Sequence, residues 1–116
     1  MTIQYKNQGF KQTGTSKTTA LTCPSNATII IKSIYCANNA ASSAILVNMN
    51  LVDSSDSNTE YEFFRDDIAA KTQVNATSNG LNLEAGDAVT VQAATGSSKI
   101  QGAISYALID RSQENG

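Results

Sequence analysis

From about residue 17 to residue 110, apolar positions recur at every second residue in short runs separated by turn-forming residues. Ile45, Val47, Met49 and Leu51 fall on one side of an extended chain, and Asn48 and Asn50 on the other. That spacing predicts a strand over Ala44 to Asp53 with one face in a core and one in water. Thr28 to Asn38, TIIIKSIYCAN, is apolar on both sides, with Ile29, Ile31 and Tyr35 on one and Ile30, Ile34 and Cys36 on the other. Its density of β-branched residues argues against a helix and predicts a central strand, or one whose second face is covered by another chain.

The same reading places strands at Lys17 to Cys23, stopped by Pro24-Ser25-Asn26, and at Glu60 to Arg65, returning after the turn Asp53 to Ser57. Others fall at Thr72 to Ala76 and Ala88 to Ala94. The last runs from Lys99 to Asp110, with Ile100, Ile104, Tyr106 and Leu108 inward. Asn38 to Ser43 reads as a loop, Asn79-Gly80 as a turn admitting positive φ, and Thr95 to Ser98 as a tight reversal. The expected fold is all-β: about seven or eight strands in an antiparallel β-sandwich, jelly-roll or Ig-like, because a single sheet would leave an apolar face in water. A small closed barrel is the alternative. Residues 17–110 form one domain. Residues 1–16, with only Ile3, Tyr5 and Phe10 as large apolar groups, read as an extended N-terminal arm or a short edge strand, and residues 111–116 as a polar tail.

Composition narrows the chemistry. The 116 residues include no His and no Trp, so Ser-His and Cys-His nucleophiles are impossible. A net charge of -2 supplies no broad basic surface, so nucleic acid is not an expected partner. No apolar run approaches the roughly 18 residues that span a bilayer, and no membrane association is expected. Met1 to Phe10 lack the apolar segment of a secretory signal, which points to synthesis in a cytoplasm. Cys23 and Cys36 are too few for a disulfide framework or a zinc site and read as buried thiols.

The order of features is also distinctive. Pro24-Ser25-Asn26 precedes Ala27-Thr28-Ile29-Ile30-Ile31-Lys32-Ser33-Ile34; a strand ending at Asn38, a polar loop and an alternating strand follow; then comes Leu83-Glu84-Ala85-Gly86-Asp87-Ala88-Val89-Thr90-Val91. This resembles small virion proteins of tailed bacteriophages, especially those of cyanobacteria and marine bacteria, over residues 17–110. The resemblance implies a non-enzymatic virion structural protein: a capsid decoration or cement protein, or alternatively a neck, tail or fibre component acting as adaptor or host-recognition module. It carries no catalytic motif. Its expected partners are the major capsid protein or other virion proteins, with homo-oligomerisation, a trimer suiting shell symmetry, and its expected place is the outer surface of the capsid.

Expected contact residues are Ile3, Tyr5 and Phe10 in the arm, and whichever of Phe63 and Phe64 points away from the core, since neighbours on a strand face opposite sides. No catalytic or cofactor-binding residue is expected. Asp53 and Asp56 in DSSDS supply too few oxygens, and not the spacing, for calcium, so no metal is expected either. Glu60 and Glu62 share one face and read as a charged edge rather than a glycosidase pair.

Overall fold

The computed structural model describes residues 2–77, 79–95 and 98–111. Gly96 and Ser97 of the expected reversal, and the polar tail beyond Arg111, lie outside the described residues. The strands are β1 (Thr2–Gln12), β2 (Thr18–Thr22), β3 (Ala27–Asn38), β4 (Ile45–Asp53), β5 (Thr59–Ile68), β6 (Thr72–Asn75), β7 (Leu81–Leu83), β8 (Ala88–Ala93) and β9 (Ile100–Asp110). The nine exceed the expected seven or eight because Thr2–Gln12 is itself a full strand and the stretch after Ile68 makes two short ones. A single 3₁₀ turn, Ser54–Asp56, is the one helical element among the described residues, and no helix there is long and apolar enough to cross a membrane.

Two antiparallel sheets pack face to face as a sandwich. One has the order β1-β9-β3-β6, with β7 also paired to β3; the other is β2-β8-β4-β5. Both follow from one long hairpin bent at the turn after β4. Asp53 pairs with Thr59, Ile31 with Leu81, Thr22 with Ala88 and Thr2 with Asp110, each pair nearly symmetric about Asp56. Rolling that hairpin brings β9 against β3 and β8 against β4, which completes the jelly-roll order. At the bend, Ser57 and Asn58 both adopt left-handed backbone, φ 58° and 60°.

The core lies between the sheets. Ile45, Val47 and Met49 of β4, Val89 and Val91 of β8, and Ile100, Ile104 and Tyr106 of β9 are buried, as the alternation predicts. β3 departs from its predicted phase. A bulge at Lys32 inserts one residue between Ile31 and Ser33, so Ile29, Ile31, Ile34 and Cys36 all face the core while Ile30 and Tyr35 face outward. The expected grouping of Tyr35 with Ile29, and of Ile30 with Ile34, is thereby reversed. Buried Asn38 closes the end of β3: its amide donates to the Ser43 and Ile68 carbonyls at 2.9 and 2.8 Å, and its oxygen accepts from the Ala40 N–H at 2.8 Å.

Candidate functional site

The two outer faces of the sandwich differ in chemistry. On the five-stranded sheet, register carries Ile3, Ile109 and Thr28 in one row and Tyr5, Ala107 and Ile30 in the next. Beyond the Lys32 bulge come Asn7, Ser105 and Ser33, and then Gly9, Ala103 and Tyr35. Ile3 (50% exposed), Tyr5 (78%), Ile30 (41%) and Tyr35 (48%) therefore share one solvent-facing surface. Single exposed apolar residues are ordinary, but four large ones on one sheet face form a surface suited to contact. Lys32 of β3 reaches across β9 to place its ammonium 5.6 Å from the Tyr5 ring centroid on β1.

Charge separates the faces as well. The strands of the five-stranded sheet carry Lys6, Lys11 and Lys32, and their one acid, Asp110, sits at the end of the inward-facing row of β9. The four-stranded sheet carries Asp53, Glu60, Glu62, Asp66 and Asp67 against Arg65. Lys17 and Glu60 form an ion pair at 2.7 Å, and Asn50 donates to the same Glu60 oxygen at 3.2 Å. The Lys17 hydrogen bond, assisted by Asn50, holds the Glu60 carboxyl below its ordinary pKa; the Arg65 guanidinium does the same to Glu62. A glycosidase general acid needs the opposite shift.

Phe10, Phe63 and Phe64 are half-buried against the core rather than projecting. A bulge between Met49 and Asn50 leaves Phe63 without a partner across the ladder, which breaks the strict alternation of the two phenylalanines. Phe10 lies against Gly102: a Cβ at that glycine would fall 2.5 Å from the ring and 2.0 Å from the Tyr35 carbonyl oxygen. Of the five expected contact residues, then, Ile3 and Tyr5 occupy the exposed outer face, and Ile30 and Tyr35, which were not among the five, join them there. Pairing of β1 with β3 across β9 is a long-range relationship that no local pattern carries.

An open cleft of about 680 Å³ lies at one end of the sandwich, lined in part by Asp53, Glu84, Asp87 and Arg111. Carboxylate oxygens of Asp53, Glu84 and Asp87 come within 4.8 Å of one another, a grouping that DSSDS alone did not reveal. Two of the three are occupied with backbone. Asp53 accepts from the Ser55 N–H at 3.1 Å and hydroxyl at 2.7 Å, and buried Asp87 accepts from the Ser54 and Glu84 N–H groups at 3.0 and 2.9 Å. Asp56 lies apart, accepting from the Tyr61 hydroxyl at 2.5 Å, a bond that raises the tyrosine pKa. The bonds to backbone make Asp53 and Asp87 loop fasteners, with exposed Glu84 beside them, and one oxygen from each of the three falls short of the six or more a calcium ion takes.

Cys23 and Cys36 are both buried and free. Desolvation pushes the Cys36 thiol up to about 11; it also raises Cys23, aided by the charge of Asp87. Both sit as neutral thiols at neutral pH.

No protein-family model matches the chain, and no curated protein matches it. Among solved structures, a chain from the acidic stable capsid structure of Helicobacter pylori bacteriophage KHP30 superposes with a TM-score of 0.59, covering 97% of this chain and 90% of that one at 13% identity. A chain of the Bacillus endospore appendages, which form a family of disulfide-linked pili, gives a TM-score of 0.52, covering 95% of this chain and 88% of that one at 12% identity. At these identities the likeness is one of fold.

Proposed function

We propose that this chain is a non-enzymatic structural protein of a phage virion, a decoration or cement protein that binds the assembled capsid from outside and stabilises it. The observation that supports this most is that its fold matches, along nearly the full length of both chains, a chain from a phage capsid structure. The surface chemistry agrees with it. The five-stranded sheet, bearing Ile3, Tyr5, Ile30 and Tyr35 with Lys11 and Lys32, faces the shell, and the polar, acid-rich four-stranded sheet faces water. A protein that binds the assembled lattice and not its free subunits stabilises that lattice by mass action, so no catalytic apparatus is needed.

The test is the copy number and position of the chain in purified particles, by quantitative mass spectrometry with cryo-electron microscopy of the same sample. Hundreds of copies over the head uphold the decoration role. A few copies at the portal or tail transfer the chain to the neck, tail or fibre, and absence from particles overturns the virion reading. The other structural neighbour belongs to disulfide-linked pili. A covalent filament of that kind has no support here, because neither buried cysteine is presented to a neighbour.

A further inference from the structure

The sheet edges of this sandwich are not treated alike. An edge strand offers a row of unpaired backbone groups, and folded proteins blunt such rows with short strands, bulges or charges. β6 and β7 span only Thr72–Asn75 and Leu81–Leu83. β2 is five residues long and its ladder slips between Thr19 and Leu21. β5 is longer, but it is bulged opposite Met49 and Asn50 and carries Glu60, Glu62, Arg65, Asp66 and Asp67. β1 has none of these protections beyond two lysines. Its eleven residues pair with β9 in one unbroken register from Thr2 to Gln12, without proline or bulge, and no strand among the described residues covers its outer side.

We infer that the outer edge of β1 is a homotypic docking strand: two copies pair β1 to β1, antiparallel about a two-fold axis, and join their five-stranded sheets into one. Length selects the occupant. Within a second copy, head-to-tail pairing onto β6 or β7 would engage four or three residues and leave most of the row open, and the ten-residue edge β5 is bulged and lined with acids, so the unbroken eleven-residue edge finds its match in β1 itself. A three-fold ring built from sheet edges would need that poorer match. The self-matched pair closes as a dimer instead.

The side chains fit this pairing. An axis perpendicular to the sheet pairs residues from the same face, and full overlap of Thr2–Gln12 centres it on Asn7. Tyr5 then lies beside the partner's Gly9, an aromatic shielding a glycine, and Lys6 lies beside the partner's Gln8. Lys11 lays its stem along the partner's Ile3, and no lysine opposes a lysine. Centring on Lys6 would set two ammoniums face to face. The inner-row residues Gln4, Lys6 and Gln8 are exposed beside the short β2, and no strand among the described residues occupies the place a second β1 requires. Both outer faces end on the same side of the dimer, which doubles the Ile3, Tyr5, Ile30 and Tyr35 surface. The pairing is nonetheless a property of the isolated protein and does not rest on the virion reading.

Sedimentation velocity of the purified chain tests it, together with oxidation of single-cysteine probes read on non-reducing gels; buried Cys23 and Cys36 do not compete. The expected result is a dimer that cross-links through Asn7→Cys but not through Gln8→Cys, whose Cα atoms in this register exceed disulfide reach. Asn7→Lys, on an exposed position, sets two like charges together and weakens the dimer about tenfold or more while far-ultraviolet circular dichroism stays unchanged. A monomer at all concentrations overturns the inference. So does a trimer, a dimer that Asn7→Lys leaves intact, or cross-linking at Gln8 in preference to Asn7.

Discussion

Ser54 and Asp87 are 33 residues apart in the chain and bonded in space: one Asp87 carboxylate oxygen accepts from the Ser54 N–H at 3.0 Å. The Ser54 hydroxyl, donating to the Ala85 carbonyl at 2.9 Å, stands 3.1 Å from the same oxygen. The second oxygen of Asp87 accepts from the Glu84 N–H, and the Asp87 carbonyl accepts from the Cys23 N–H at 2.8 Å. One residue therefore ties the end of β2, the turn after β4 and the entry to β8. Asp87→Ala strands two N–H groups and is expected to cost about 2–4 kcal/mol in urea unfolding, with Asp87→Asn losing less because its amide oxygen still accepts from Ser54.

Gly102→Ala forces a methyl into the Tyr35 carbonyl and the Phe10 ring. The half-buried Phe10 ring can swing aside, but the carbonyl cannot move without opening the β9–β3 ladder. A loss of roughly 1–3 kcal/mol is expected, and Phe10→Ala in the same chain should recover only part of it because the backbone contact remains.

Burial of Cys36 couples stability to alkaline pH. Its folded pKa of about 11 lies above the ordinary 9.0, so the folded state holds the proton where the unfolded state releases it. The contribution is complete below pH 9 and is lost as pH rises toward 11. Wild type should lose roughly 1–3 kcal/mol more than Cys36→Ala across that window. At pH 8, neither native thiol should react with a disulfide reagent until denaturant is added.

On the acid side the sign reverses. Glu60 and Glu62 have folded pKa values below the ordinary 4.5, so their contribution is present above that pH and fades as pH falls through the folded values. Both are exposed, so the effect is small and screened by salt. Thermal melts at pH 6 and pH 3 in low salt should show a smaller acid-induced drop for Glu60→Gln than for wild type.

Tyr5→Ala combined with Ile30→Ser removes two exposed apolar groups without touching the core. The melting temperature should hold within about 2 °C, consistent with surface substitutions worth at most about 0.5 kcal/mol. Binding to particles stripped of the protein should fall at least about tenfold. Retained binding would remove the outer face of the five-stranded sheet from the capsid contact.

Much of this architecture is written in the local pattern. Period-two alternation marks the inward rows of β4 and β9, and the DSSDS turn that splits β4 from β5 proves to be the bend of the entire rolled hairpin. Counting by twos fails wherever an extra residue enters a ladder. The Lys32 bulge rephases Ile34 and Tyr35, and the bulge opposite Met49 and Asn50 lets Phe63 and Phe64 both pack inward. β1 is harder still, since a strand polar on both sides shows no burial pattern, and its backbone pairing with β9 depends on residues almost a chain length away.

Alternation and composition are local properties, and from them a β-sandwich lacking histidine could be read directly off the chain. Which residues share a surface was decided only by tertiary structure. Rolling one hairpin sets Tyr5 beside Lys32 and Asp53 beside Asp87, and leaves β1 as the long, unguarded edge.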